Sequence, residues 1–175
     1  MVNDSGAQSI GNLVELARLY EAQASQALDD SQRVTLLKKA AAAHHELGYY
    51  NEEARCLSLA CGLLEGEGRL DCLVSRWGVY ITAIAVYEYE AGFEWKGETK
   101  NLDPSYSETI RQYYDGAVDT LEEALKTEGV NGESLLEKLH VECVKRRNEG
   151  GWGAQECFSS IKDSFKGMSH RDSLR

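Results

Sequence analysis

Residues 34–64 read VTLLKKAAAAHHELGYYNEEARCLSLACGLL, and this stretch decides the fold. Val34, Leu37, Ala40 or Ala41, and His44 recur at spacings of three and four, which puts them on one helical face. The alanine run Ala40 to Ala43 favours helix and lets a neighbouring helix come close. Gly48 stops this helix, since glycine accepts the left-handed conformation that a helix end asks for. Asn51 then caps a further helix over residues 52–64. Helix, tight glycine turn and helix make a hairpin.

The same pattern extends in both directions. Upstream, Leu13, Leu16, Ala17, Tyr20, Ala24 and Ala27 share a face of a helix over residues 10–28. Asp29-Asp30-Ser31 breaks it, and Asp30 or Ser31 caps the next helix, residues 32–47. Downstream, Gly66-Glu67-Gly68 ends the third helix. A fourth, over 70–95, is apolar on two faces: Trp77, Tyr80, Ile84, Tyr87, Ala91 and Trp95 on one, Val79, Ala83, Val86 and Phe93 on the other. Such a helix is central and buried.

Pro104 suits the first turn of a fifth helix running to 127, with Ser105-x-x-Glu108 as a capping box. A sixth helix, 133–148, follows Asn131-Gly132, with Ser134-x-x-Glu137 as another box and Glu142 and Arg146 paired one turn apart. Gly150-Gly151 breaks it. A seventh, 154–166, turns Cys157, Phe158, Ile161 and Phe165 inward. No run shows the two-residue alternation of a strand. The expected fold is all-α: about seven helices stacked as antiparallel hairpins over residues 10–167, between flexible tails 1–9 and 168–175. An irregular helical bundle is the alternative.

The hairpin carries a resemblance. Leu37 is a large residue early in its first helix, with Ala41 and Ala43 at small positions. Gly48 and Tyr50 stand in the turn, and Leu57, Ala60 and Leu63 give large, small and large in the second helix. This set resembles a unit of the tetratricopeptide-repeat (TPR) superfamily. Tyr114, Ala117, Leu121 and Ala124-Leu125 resemble the second half of another unit, and Gly150-x-Trp152 resembles a turn. With helices this uneven, the chain is similar to the soluble NSF-attachment-protein-like kind. Two positions depart from the pattern: His44 stands where an aromatic is usual, and Glu53 where a small residue is. The resemblance implies a right-handed array of hairpins whose concave face holds a peptide or helix of another protein.

Composition narrows the partner. The formal charge is −10, which disfavours nucleic acid and anionic membrane surfaces and suits a basic peptide or helix. Five cysteines, at 56, 61, 72, 143 and 157, lack the spacing of a disulfide framework and contain no C-x-x-C pair. They read as reduced thiols on apolar helix faces, and with the polar N-terminus, which has no secretory signal pattern, they suggest the cytoplasm. The most apolar window, residues 77–91, is short and contains Glu88 and Glu90, so membrane insertion is not expected.

Several residue arrangements have chemical potential. Glu137-x-x-His140 matches half of a di-metal bundle motif but has no second pair. His44 and His45 are adjacent, so they point to different helix faces and cannot converge on one atom; His44 reads as a packed histidine. Glu88, Glu90 and Glu94, with Glu52 and Glu53, are the acids a magnesium-dependent hydrolase would need. Cys56, Cys61 and Cys72 are spaced for helix packing rather than for a zinc knuckle. Gly150-Gly151-Trp152-Gly153 lacks the lysine of a phosphate loop.

No catalytic, cofactor or metal residue is therefore assigned. The tyrosines come as adjacent pairs, so one of Tyr49-Tyr50 and one of Tyr113-Tyr114 face outward. Tyr49, Tyr113 and Trp152 are the candidate partner contacts. The expected function is a non-catalytic protein-binding adaptor or scaffold. The alternatives are a small acidic all-α metal-dependent hydrolase using clustered glutamates, and a structural subunit of a homo-oligomer.

Overall fold

The computed structural model describes residues 4–90, 104–127, 129–150, 161, 162 and 165. Among them the chain is all-helical, with no strand. The six helices are α1 (Asp4–Gln26), α2 (Asp30–Glu46), α3 (Tyr50–Cys61), α4 (Gly66–Glu90), α5 (Pro104–Leu125) and α6 (Gly132–Gly150). Of the expected seventh helix, Ile161, Lys162 and Phe165 are helical and the rest lies outside the described residues. Two compact units divide at Cys72 and Leu73, within α4.

In the first unit α2 packs against both α1 and α3. Small residues line these contacts: Ala17, Ala40 and Ala60 are fully buried, as is Cys56, with Leu37 and Leu57 filling the larger spaces. The α1–α2 connection is capped by Asp29, whose carboxylate accepts from the backbone N–H groups of Ser31 and Gln32 at 3.2 Å each. That is one residue before the expected cap, because Asp30 already has its place in the helix. α1 also starts at Asp4, inside the stretch expected to be a tail.

The α2–α3 turn is a Schellman motif. Gly48 N–H donates to the His45 carbonyl and Tyr49 N–H to the His44 carbonyl, both at 2.9 Å, with Gly48 at φ +68°. This tight reversal starts α3 at Tyr50 with no side-chain cap, so Asn51 is not the cap residue. At the other end of α3, Gly66 takes φ +52° and opens α4; Gly66-Glu67-Gly68 begins a helix rather than ending one.

In the second unit, α4 from Leu73 onward lies between α5 and α6. Arg76 Nε donates to Thr120 Oγ1 (3.0 Å) and Arg76 Nη2 to Glu123 (2.6 Å), tying α4 to α5. The Tyr80 ring lies over Gly116, where a Cβ would stand 2.7 Å from it. On its other side, Gly78 leaves room for the Glu142–Arg146 pair of α6, joined at 2.8 Å as the four-residue spacing predicts. Trp77, Val79 and Leu73 are fully buried, with Leu121 of α5 and Leu135 and Leu139 of α6. Asn131 opens α6 by accepting from Ser134 N–H at 2.8 Å.

Residues Gly66–Tyr87 are long and apolar enough to cross a membrane by length and composition, and 61% of the most apolar window is buried within the protein. Cys56, Cys61, Cys72 and Cys143 are buried free thiols.

Candidate functional site

The first unit gathers its polar chemistry where α1, the end of α2 and α3 meet. Glu21 is the hub. Its Oε1 accepts from His44 Nε2 at 2.8 Å and from the Cys56 thiol at 3.7 Å. Its Oε2 accepts from Arg55 Nη2 at 2.5 Å, and Arg55 Nε donates in turn to Glu52 at 2.7 Å. Each helix contributes through its own periodicity: Glu21 lies one residue past Tyr20 at the rim of the α1 stripe, and His44 ends the stripe that runs through Leu37 and Ala41. Cys56 and Arg55 lie side by side on α3, one inward and one toward solvent.

The electrostatics of the hub are consistent. Burial raises the Glu21 carboxyl, but hydrogen bonds from His44 and Arg55 more than offset this and hold it below its ordinary value of 4.5. Glu21 is thus a carboxylate at neutral pH and accepts only, so the proton of this contact sits on His44 Nε2. His44 Nδ1 is buried with no hydrogen-bond partner. Arg55 is held in its charged form by its bonds to Glu21 and Glu52. Burial, and then the Glu21 charge, push the Cys56 thiol up to about 12. A thiol so protonated is not a nucleophile.

A second pair flanks the first: His45 Nδ1 meets Glu53 at 3.0 Å, and Glu53 is buried although it is an acid. The two adjacent histidines therefore serve two separate carboxylates, in line with their divergent directions on the helix. Tyr49, the residue after the turn glycine, is half exposed, and its ring lies 6.3 Å from that of His44.

The structure sorts the candidates. Tyr49 lies at the surface beside the polar hub. Tyr113, expected to face a partner, is instead buried, its ring 6.3 Å from Tyr80 and 5.6 Å from Tyr87. It fills the α4–α5 contact, and Tyr114 is the more exposed of its pair. Trp152 lies outside the described residues, as do Glu94 and the side chains of Glu88 and Glu90. Glu137 and His140 are on the exposed side of α6. Cys72 donates to the Leu57 carbonyl at 3.4 Å, as a packed thiol does.

Glu21, His44 and Cys56 each bring one metal-ligating atom to within 4.8 Å of the other two. Sequence spacing does not reveal this cluster, since its members come from three helices. The signal in the sequence is His44 itself, a titratable ring on an otherwise apolar helical stripe. Compared with protein-family models, with curated proteins and with solved structures, the chain matches none of them.

Proposed function

We propose that this chain is a non-catalytic interaction module, a TPR-like stack of helical hairpins that holds a peptide or helix of a partner protein. The α2–α3 hairpin is the observation that carries the reading. Its turn glycine has the left-handed conformation, and Ala40, Ala43, Ala54 and Ala60 are buried where the helices approach. Helices packed this closely behave as a stiff frame whose outer faces are free to bind. Tyr49 and Leu59 on this hairpin, and Leu16 and Leu19 on α1, are exposed apolar groups of the type that anchors a partner. The net charge of −10 favours a basic partner. Free cysteines are in keeping with a reducing compartment, and we place the protein in the cytoplasm on that ground.

Selection of binders from a random peptide library tests this. The expected result is a set of basic peptides whose affinity falls with salt and drops in Tyr49→Ala, with helix content unchanged. Binders without positive charge, or binding indifferent to Tyr49→Ala, would overturn the assignment of this face. A library that yields no binder would overturn the module itself.

A further inference from the structure

We propose that Glu21, His44 and Cys56 form a site for a borderline-soft divalent cation of the zinc kind, with its fourth position open. The donors are a carboxylate oxygen, an imidazole nitrogen and a thiol sulfur, the set such an ion prefers. They come from three helices and lie within 4.8 Å of one another. A tetrahedral ion at ordinary bond lengths needs its ligand atoms about 3.3–3.8 Å apart. Glu21 Oε1 is 3.7 Å from Cys56 Sγ, which already fits, and 2.8 Å from His44 Nε2, a separation that an ion must open. His44 and Cys56 are buried, while Glu21 is partly exposed and gives an ion its way in.

The surroundings are suited to holding these ligands. Arg55, itself braced by Glu52, grips the Glu21 oxygen that the ion does not use and so fixes the carboxylate's orientation. The protons balance. When the ion takes Nε2, that nitrogen gives up its hydrogen and the ring carries one on Nδ1, where no hydrogen-bond partner stands. The Cys56 proton leaves to solvent, so each ion bound releases at least one proton. Nδ1–H then lacks an acceptor, and this places the affinity below that of a site with a complete outer shell. The proposal is independent of the partner-binding reading, because a metal here would pin α1, α2 and α3 together with or without a partner.

The full-length, reduced, chelator-treated chain is titrated with cobalt(II) and then with zinc(II). Expected are one equivalent of cobalt, a thiolate-to-cobalt charge-transfer band, visible bands of four-coordinate intensity, and displacement by zinc. Cys56→Ser should lose the charge-transfer band, and Glu21→Gln should bind roughly tenfold or more weakly. Cys61→Ser should keep the band. If Cys56→Ser fails to fold, zinc protection of Cys56 from alkylation in the wild-type chain, read against Cys143 by mass spectrometry, replaces it. A native chain without the charge-transfer band, a band that survives in Cys56→Ser, or zinc that leaves the Cys56 alkylation rate unchanged would overturn the proposal.

Discussion

Replacing Glu21 with glutamine keeps the size of the side chain and removes the charge at the hub of the first unit. Its partners set the magnitude. A hydrogen bond to an ionised group contributes about 1.5–3 kcal/mol, and a neutral one about 1 kcal/mol. Glutamine can still accept from His44, so about 1 kcal/mol goes from that contact. The Arg55 side chain is 46% exposed, which limits its pair with Glu21 to a further ~0.2–1 kcal/mol. The expected loss is thus about 1–2 kcal/mol. All three tryptophans, Trp77, Trp95 and Trp152, follow the boundary at Leu73, so fluorescence does not read the first unit. Amide hydrogen exchange over α1, α2 and α3 does, and protection there should fall by that amount with α5 and α6 unchanged.

The same variant has a pH signature. Because the folded state holds the Glu21 carboxyl below 4.5, it takes up a proton less readily than the unfolded chain does. The stabilisation is complete above pH 4.5 and is lost as pH falls through the lower, folded value. The gap between wild type and Glu21→Gln should therefore be full at pH 7 and close in acid. Equal protection at pH 7, or a gap that stays constant into acid, would refute the assignment of Glu21 as an ionised hub.

Four further outcomes follow from the packing. Gly116→Ala would set a Cβ 2.7–3.0 Å from the Tyr80 ring, so overpacking of about 1–3 kcal/mol should exceed the helix-propensity gain of about 0.8–1 kcal/mol, and the variant should melt earlier by Trp77 fluorescence. Ala60→Leu, at a fully buried small position on α3, should cost about 1–3 kcal/mol, measured by hydrogen exchange. Gly48→Val meets no atom within 4 Å, so its loss of about 1–2 kcal/mol comes from the φ of +68° alone, and Gly48→Asn should recover much of it. Cys56, Cys61, Cys72 and Cys143 should react with iodoacetamide slowly in the native chain and quickly under denaturant, and reductant should leave the melting temperature unchanged; rapid labelling of native Cys56 would contradict its burial and its thiol state near 12.

Helices were legible wherever local chemistry decided them. The α2 stripe, the Gly48 turn, Pro104 at the start of α5 and the Glu142–Arg146 pair depend on neighbours within about five residues, and the sequence states those directly. Boundaries went astray where two local rules competed. Asn51 is a good cap, yet the Schellman turn at Gly48 had already redirected the chain, so α3 begins at Tyr50. Gly66 and Gly68 look like a stop, and the positive φ at Gly66 makes the first of them a start. Tyr113 and Tyr114 show the limit of local reading. Adjacency says that one of them faces away from its helix's core, but only the position of α4 decides which, and Tyr80 and Tyr87 claim Tyr113. The polar hub was out of reach for a similar reason. Glu21 is 23 residues from His44 and 35 from Cys56, and no periodicity links them.

His44 and Glu53, the two residues whose size is unusual for a close-packed hairpin, are each hydrogen-bonded to a neighbouring helix. A large aromatic at His44 would fill the α1–α2 gap by volume. Histidine fills it less completely but reaches Glu21 on α1, and the Schellman turn lays Tyr49 over the ring, so volume is restored from a neighbouring position. A small residue at Glu53 would let α3 close on α2. The acid is accommodated because His45, next to His44 on α2, takes its carboxylate, and Ala54 supplies the small side chain one residue later. Each substitution would be costly alone, since a buried carboxylate or an unpaired imidazole is strongly penalised. Together they bind α2 to both neighbours in one orientation, because hydrogen bonds specify direction as apolar contact does not. Exchanging His44 for phenylalanine should therefore preserve the packing of α1 on α2 while releasing Arg55 and Cys56 from their shared acceptor geometry, which separates the role of volume from that of charge at this hairpin.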